Sequence, residues 1–317
     1  MYHMGIGRCI SAEQREGHIL SMLKLRRRQG TGAAVRGGME VVMRFTVVTV
    51  CLNPGRKLEK TLESILKQSC TDVEVVLKDG GSTDGAVAAW QQKASEIPGG
   101  ERVRVYTQKD KGIYDAMNQA VSYARGEFVI FLNCGDTFYD HEVLERVNQV
   151  VEARKLAGED CGRLVLYGDT YSGKNNALIA AAPAVTGFTC YRNIPCHQSC
   201  VYSTVLCREK KYDLKYSIRA DYDHFLWCFY RAKAEICPLG FPVASYEGGG
   251  YSESRENRTR DRQEHRQITS CYMGRGELMK YRLIMACTLA PLRRAMAESS
   301  VLSGVYHWMK ECLYRRK

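Results

Sequence analysis

The sequence lacks the features that would place the chain across or beyond a membrane. No stretch approaches the run of about 18 apolar residues that a membrane-spanning helix requires, and the first residues contain no compact apolar segment of the secretory-signal type. An internal repeat is also missing, which argues against a repeat array. These absences predict a cytoplasmic protein.

Paired cysteine motifs are absent as well, although the chain contains 14 cysteines. They are scattered, and Cys51, Cys228 and Cys287 fall inside predicted strands and helices, as buried free thiols do. A cysteine and histidine group at 196–207 has no common zinc spacing and lacks a second paired half. We therefore predict reduced thiols in a reducing compartment and no zinc site.

The composition favours a globular protein with anionic partners. Of the 317 residues, 45% are apolar and 26% are charged, and the formal net charge is +11. Such a charge suits nucleotide phosphates, nucleic acid or an acidic lipid surface. The basic residues lie mainly at the two ends and in 255–266, without clustered stacking aromatics, so we expect no nucleic acid as a partner.

The residue patterns divide the chain into three parts. Residues 1–42 are polar and glycine-rich and predict a disordered leader. Residues 43–251 carry the patterns of a folded domain. Residues 252–317 predict a mobile basic loop over 252–266, followed by amphipathic helices that lie either on an anionic membrane surface or against the main domain.

Within the main domain, apolar β-branched runs alternate with helical patterns. This alternation predicts a parallel sheet with right-handed crossovers. The predicted strands cover residues 45–51, 73–78, 102–107, 127–132, 163–169 and 235–245. The predicted helices cover residues 58–66, 86–94, 113–124 and 221–233.

Acidic residues follow two of these strands and begin two of these helices. Asp79 ends the second strand, and Asp136 follows the fourth in a glycine-bearing turn. Asp115 and Asp221 lie in the first turns of helices. Because the carboxyl ends of strands in a doubly wound sheet share one crevice, we expect Asp79 and Asp136 to lie near each other.

This arrangement of acids suits the binding of an activated nucleotide. Asp136 could hold Mg²⁺ or Mn²⁺, because such ions take oxygen ligands and keep waters and substrate phosphates. The ion would offset the charge of a departing diphosphate, and Lys111 could add a positive charge there. Asp221 could accept the proton of an attacking hydroxyl as general base, with Asp223 as the alternative.

The same segments, in order, resemble the family 2 glycosyltransferases with the GT-A fold, from about Phe45 to Tyr251. The most specific motifs are residues 79–85 (DGGSTDG) and 110–118 (DKGIYDAMN). Residues 131–136 and 220–223 continue the series. The second motif is similar to that of bacterial exopolysaccharide enzymes of the colanic-acid type.

The resemblance implies an α/β GT-A (Rossmann-like) fold: a mostly parallel central sheet flanked by helices, with a C-terminal helical extension. It implies an inverting transfer of a sugar from a nucleotide-diphosphate donor, most commonly a UDP-sugar, to a hydroxyl of a glycan or lipid-linked acceptor in polysaccharide synthesis. A site on the cytoplasmic face of the membrane would suit such an acceptor.

The resemblance also implies roles for individual residues. Thr49, Asp79 and Asp115 would line the nucleotide pocket, Asn133 to Asp136 would form the metal element, Asp221 would be the base, and His197 would lie near the diphosphate or acceptor. Two departures from the family pattern stand out, because Asn133 and Gly135 replace acids of the metal element, and Ala220 replaces a glutamate beside the base.

A hypothesis from another class is a catalytically silent subunit on the same fold that binds nucleotide-sugar or polysaccharide. It predicts nucleotide affinity without turnover. A nucleotidyltransferase would share the fold but needs a long glycine-rich phosphate loop near the first strand, which this sequence lacks.

Overall fold

The structure is a computed structural model that describes residues 43–247 and 257–287. The predicted leader, the segment 248–256 and the tail from residue 288 lie outside the described residues. Among those described, no helix is both long and apolar enough to cross a membrane.

A nine-stranded sheet forms the centre of the part of the chain that the structure describes. Its strand order is β3-β2-β1-β4-β8-β6-β9-β5, and β7 pairs with β6 beside this path. The strands are β1 (Phe45–Cys51), β2 (Val73–Asp79), β3 (Val103–Thr107), β4 (Phe128–Phe131), β5 (Thr137–Phe138), β6 (Leu164–Ser172), β7 (Ala177–Ile179), β8 (Cys200–Ser203) and β9 (Glu235–Tyr246).

Nine α-helices accompany the sheet in the described ranges. They are α1 (Lys57–Leu66), α2 (Ala86–Lys93), α3 (Ile113–Val121), α4 (Val143–Leu156), α5 (Gly187–Arg192), α6 (Thr204–Glu209), α7 (Ala220–Tyr230), α8 (Arg258–Tyr272) and α9 (Arg275–Cys287).

Strand β1 shows how the sequence determines this layered arrangement. It pairs in parallel with β2 on one side and with β4 on the other. Its side chains alternate between two cores: Val47 packs with Leu58 and Leu62 of α1, and Val48 packs with Met117 of α3. A strand covered on both faces needs a continuous β-branched run, and that is what the sequence contains.

The predicted α/β fold class is confirmed. The first four strands are parallel neighbours, as the alternating pattern predicts. Beyond β4 the sheet becomes mixed, because β8 runs antiparallel to both β4 and β6, whereas β6 and β9 are parallel.

The C-terminal region differs from its prediction in the described residues. Helix α8 begins at Arg258, inside the range 252–266 for which the charged composition predicts a loop. It is also only partly solvated, because Glu264 and Ile268 are buried against the main domain. Only a few residues of α8 are buried, so the many charged residues on its exposed surface hide the packed helix in the sequence pattern.

The predicted thiol positions are only partly correct. Cys228 of α7 is fully buried, whereas Cys51 is half-buried and Cys287 is exposed. Cys287 lies at the end of α9, where Tyr281 is buried and Leu278 and Ile284 pack partly against the core, whereas position 287 faces solvent. Its helical position therefore does not bury it.

Candidate active site

The carboxyl ends of β1, β2 and β4 lie side by side, as the parallel pairing requires. Cys51, the last residue of β1, is the register partner of Asp79. Its Sγ lies 3.9 Å from Asp79 Oδ1. Cys51 also interacts electrostatically with Cys134, and Cys134 does so with Asp136. Asp79 and Asp136 therefore belong to one edge of the sheet.

Asp79 shapes the loop that follows β2. Its buried carboxylate accepts hydrogen bonds from the backbone N–H and the hydroxyl of Ser82. The N–H of Gly80 donates to the carbonyl of Cys51 at 2.9 Å. These bonds fold residues 79–82 across the ends of the first two strands. Thr49, deeper in β1, is fully buried, and its hydroxyl has no hydrogen-bond partner.

Lys111 and Asp115 lie at the start of α3 and are joined locally. The Asp115 carboxylate accepts the Lys111 backbone N–H at 2.9 Å and the side-chain amide of Gln119 at 3.1 Å. This bond satisfies a donor just before the helix, in the manner of a capping box. The Lys111 side chain is exposed. The contacts of Asp115 thus serve its own helix.

A cavity of about 660 Å³ brings together four of the eight predicted site residues. Asn133, Asp136, His197 and Asp221 line it. Thr49, Asp79, Lys111 and Asp115 do not, although Asp79 ends at the same sheet edge. The cavity extends from this edge towards α5 and α8.

Asp136 is a buried carboxylate facing this cavity. Its Oδ2 accepts the Gln198 side-chain amide at 3.0 Å, and its Oδ1 accepts the Glu247 backbone N–H at 3.4 Å. Burial raises the pKa of Asp136 to about 6, and the two hydrogen bonds oppose the rise. Gln198 was missed as a site residue, although it directly follows His197 in the sequence.

The cavity fits a divalent ion only if the substrate supplies most of its ligands. The Asn133 side-chain oxygen is buried and has no partner, and it lies three residues from Asp136. Within the described ranges, no group of three or more His, Cys, Asp or Glu side chains could hold a metal. If Asp136 and Asn133 each supply one oxygen, phosphate and water would fill the remaining coordination positions of the ion.

Asp221 lies in the first turn of α7 and faces the same cavity. The Tyr114 hydroxyl lies 2.9 Å from its Oδ1 and 2.6 Å from the carbonyl oxygen of Ile218. Burial, and then the charge of Asp221, raises the pKa of Tyr114 well above its ordinary value, so Tyr114 remains a neutral donor. The tyrosine fixes one oxygen of Asp221 and leaves the other for a substrate.

The Asp223 side chain has different surroundings from that of Asp221. Its buried carboxylate forms an ion pair with Lys210 at 3.0 Å and accepts the Tyr272 hydroxyl at 2.9 Å. It does not line the cavity. The two acids of this motif therefore serve different surroundings, which favours Asp221 over Asp223 as the acid that meets a substrate.

His197 lies in the cavity wall next to the aromatic core. Its ring is stacked on Phe131 with centroids 4.9 Å apart, and neither ring nitrogen has a partner. Burial lowers the pKa of His197, and the charge of Asp221 opposes this effect. A neutral imidazole with two free nitrogens can donate and accept one hydrogen bond each.

Glu264 of α8 holds the segment that leads into α7, a role that the sequence does not indicate. Its carboxylate accepts the backbone N–H groups of Ser217, Ile218 and Arg219 at 2.9, 3.0 and 2.9 Å. A carboxylate at a helix amino terminus satisfies unpaired donors and complements the helix dipole. Arg219 and Asp261 add a bidentate ion pair.

We expect Glu264→Ala to destabilise the fold and misplace Asp221. The loss of an acceptor for buried N–H groups lowers the free energy of unfolding by about 1–3 kcal/mol. For the role that the resemblance implies for Asp221, turnover should fall more than the affinity for a nucleotide donor, because Asp221 follows the released segment by two residues. Thermal unfolding and steady-state kinetics measure both effects.

Glu264→Gln, which keeps an acceptor oxygen, should restore part of both losses. Glu63→Ala, which removes an exposed ion pair with Lys67, should change stability by less than about 0.5 kcal/mol. Equal kinetics for Glu264→Ala and Glu63→Ala would contradict a positioning role.

Comparison with known proteins finds relatives of this chain. Residues 46–213 match the family described as Glycosyl transferase family 2. A "PGL/p-HBAD biosynthesis glycosyltransferase" of Mycobacterium bovis is 34% identical over 212 residues, which cover 66% of this chain and 79% of that protein. An uncharacterized glycosyltransferase of Nostoc is 29% identical over 116 residues, covering 37% of this chain and 35% of that protein.

Solved structures share the fold at low sequence identity. A mannosyltransferase of Pyrobaculum calidifontis, in complex with GDP-Man and Mn²⁺, has a TM-score of 0.57 at 14% identity and covers 95% of this chain and 96% of its own. S. aureus TarS 1–349 with UDP-GlcNAc has a TM-score of 0.55 at 20% identity, covering 72% of this chain and 66% of its own.

Proposed function

This chain belongs to glycosyl transferase family 2, and from that premise we propose that it transfers a sugar from a nucleotide-diphosphate donor to an acceptor hydroxyl with inversion. The observation that carries the proposal is the shared cavity of Asp136 and Asp221. Asp136 lies at the strand ends beside the Asp79 loop, and Asp221 lies on the helix held by Glu264. In this proposal, one carboxylate of the cavity would serve the donor diphosphate and the other the acceptor.

The proposed reaction is a direct displacement. The acceptor oxygen forms a bond to the anomeric carbon while the bond from that carbon to the diphosphate oxygen breaks. The acceptor proton passes to the free oxygen of Asp221, and the bonding pair leaves with the nucleoside diphosphate. Attack opposite the leaving group inverts the anomeric centre. Tyr114 keeps Asp221 oriented, and a general base contributes about 10²–10⁴ in rate.

The donor side uses the sheet edge. We propose that Asp79 and the loop over 79–82 bind the base or ribose, with Thr49, Lys111 and Asp115 nearby. Asn133 and Asp136 would hold Mg²⁺ or Mn²⁺, which supplies positive charge for the leaving diphosphate when bound. His197 would donate to the diphosphate or acceptor. The nucleotides of the solved relatives, UDP-GlcNAc and GDP-Man, support a nucleotide-sugar donor here.

The biological setting remains part of the proposal. We infer a glycan or lipid-linked acceptor in polysaccharide synthesis on the cytoplasmic side of a membrane. The net charge of +11 supports a contact with anionic lipid. Most of the predicted basic amphipathic tail lies outside the described residues.

A thermal-shift screen tests the donor assignment. We expect UDP with Mn²⁺ to raise the melting temperature more than UDP or Mn²⁺ alone, because ligand binding to the native state stabilises it and the ion needs phosphate ligands. GDP and dTDP are the comparison ligands. If none of these nucleoside diphosphates raises the melting temperature, with or without metal, the result would contradict the proposal.

A further inference from the structure

An apolar segment borders the active-site cavity. Residues 177–185 (ALIAAAPAV) contain no polar side chain over nine positions. Leu178 is 51% exposed and Ile179 is 53% exposed, and Ile179 to Ala182 line the cavity. Consecutive exposed apolar residues of this kind mark binding surfaces more often than isolated ones do.

The segment is held in place by backbone hydrogen bonds, and residues 177–180 are exposed whereas Ala181 and Val185 pack partly against the core. Strand β7 pairs antiparallel with β6, with Ile179 opposite Thr170. The Ala181 N–H donates to Asp169 Oδ1 at 2.8 Å, and the Tyr167 hydroxyl donates to the Ala182 carbonyl at 2.9 Å. Among the described strands, β7 pairs only with β6, so it is an exposed apolar edge of the kind that proteins usually cover.

The cavity lining therefore combines apolar and acidic side chains. Ile113, which is 41% exposed, and Ile194 add to its apolar part. Asp136 and Asp221 line the same cavity. A charged diphosphate gains nothing from an alkyl wall, and Asp79 on the donor side does not line the cavity. The apolar part of the lining thus suits the acceptor better than the donor.

We propose that residues 177–185, with Ile113 and Ile194, bind an apolar aglycone of the acceptor, an alkyl chain or aromatic ring attached to the part that carries the reacting hydroxyl. This inference rests on the proposed function and decides between its two acceptor classes in favour of the lipid-linked one. The occupant must enter the cavity that contains Asp221, which a flat membrane surface or a folded protein cannot do.

Paired glycosides test the proposal. Methyl and octyl glycosides of glucose, galactose, mannose and N-acetylglucosamine, below their micellar concentrations, serve as acceptors in an assay of nucleoside-diphosphate release. We expect the octyl form of an accepted sugar to have a KM at least about 10-fold lower than the methyl form, because the extra methylenes leave water. Equal KM values would overturn the proposal.

A variant connects the preference to the segment. Leu178→Ser/Ile179→Ser should reduce the octyl preference to less than about 3-fold. The matched control is Leu156→Ser, on α4, where an apolar residue is 69% exposed away from the cavity, and it should keep the wild-type ratio. If the double variant has a lower melting temperature than the unchanged protein, the single variant Ile179→Ala is used in its place. An unchanged ratio would overturn the proposal.

A binding measurement separates this inference from the proposed function. Saturation-transfer NMR reports whether the octyl protons of the glycosides contact the protein, without any turnover. No nucleoside-diphosphate release with any acceptor contradicts the transfer reaction, whereas release without an octyl preference contradicts only the aglycone site. Octyl contact that the double variant abolishes supports the site in either case.

Discussion

Asp221→Asn is expected to lower turnover by at least about 100-fold while donor affinity stays near that of the unchanged protein. An amide cannot accept the acceptor proton, and general-base assistance accounts for about 10²–10⁴ in rate. The side chain keeps its shape, and the Tyr114 hydroxyl, 2.9 Å from Oδ1, can donate to an amide oxygen as well. Single-turnover kinetics and nucleotide titration separate the two quantities.

Asp223→Asn is the matched control, because it makes the same change two residues along the same helix. Its carboxylate pairs with Lys210 and Tyr272 rather than facing the cavity. Removing one partner of a buried ion pair leaves an uncompensated charge. The main effect of this variant should therefore be a loss of stability rather than a loss of turnover. A large loss of turnover in Asp223→Asn with none in Asp221→Asn would assign the base to Asp223.

The positions of Asp79 and Asp136 could be predicted because two local signals suffice. A continuous β-branched run such as β1 predicts a strand covered on both faces, and alternation with helices predicts parallel neighbours. Parallel neighbours end at one edge, so residues at the strand ends and in the turns that follow them converge there. The structure shows this convergence through Cys51 and Cys134.

The environment of Asp221 could not be predicted in the same way. Glu264 binds backbone N–H groups, which every residue except proline has, so no pairing of side-chain types marks the contact. It also depends on how α8 packs against α7, across more than 40 residues of chain. The run at 177–185 is ambiguous for a related reason, because apolar residues alone do not show whether a segment is buried or exposed.

Asp136→Ala and metal chelation are both expected to abolish transfer, and together they discriminate a transferase from a silent binding subunit. Asp136 supplies one of the two oxygens that we propose to hold the cation, so removing its carboxylate should release the ion that offsets the charge of the diphosphate. A silent subunit would retain nucleotide affinity and show no turnover before or after the change. Mg²⁺ or Mn²⁺ should restore the chelated protein but not the variant.

Asp136→Asn distinguishes a lost ligand from a lost fold. The amide loses one of the two acceptor oxygens of Asp136. Because burial raises the pKa of Asp136 to about 6, its ionised form destabilises the folded state at neutral pH, and removing the charge offsets that loss, so the melting temperature should change little. The sign also fixes a pH dependence. Below about pH 6 the carboxyl group binds a proton, and this proton competes with the cation for the carboxylate. Metal-dependent transfer should therefore rise as the pH increases through 6. Full activity of Asp136→Asn, or of the unchanged protein in excess chelator, would remove the carboxylate–metal contact from the reaction.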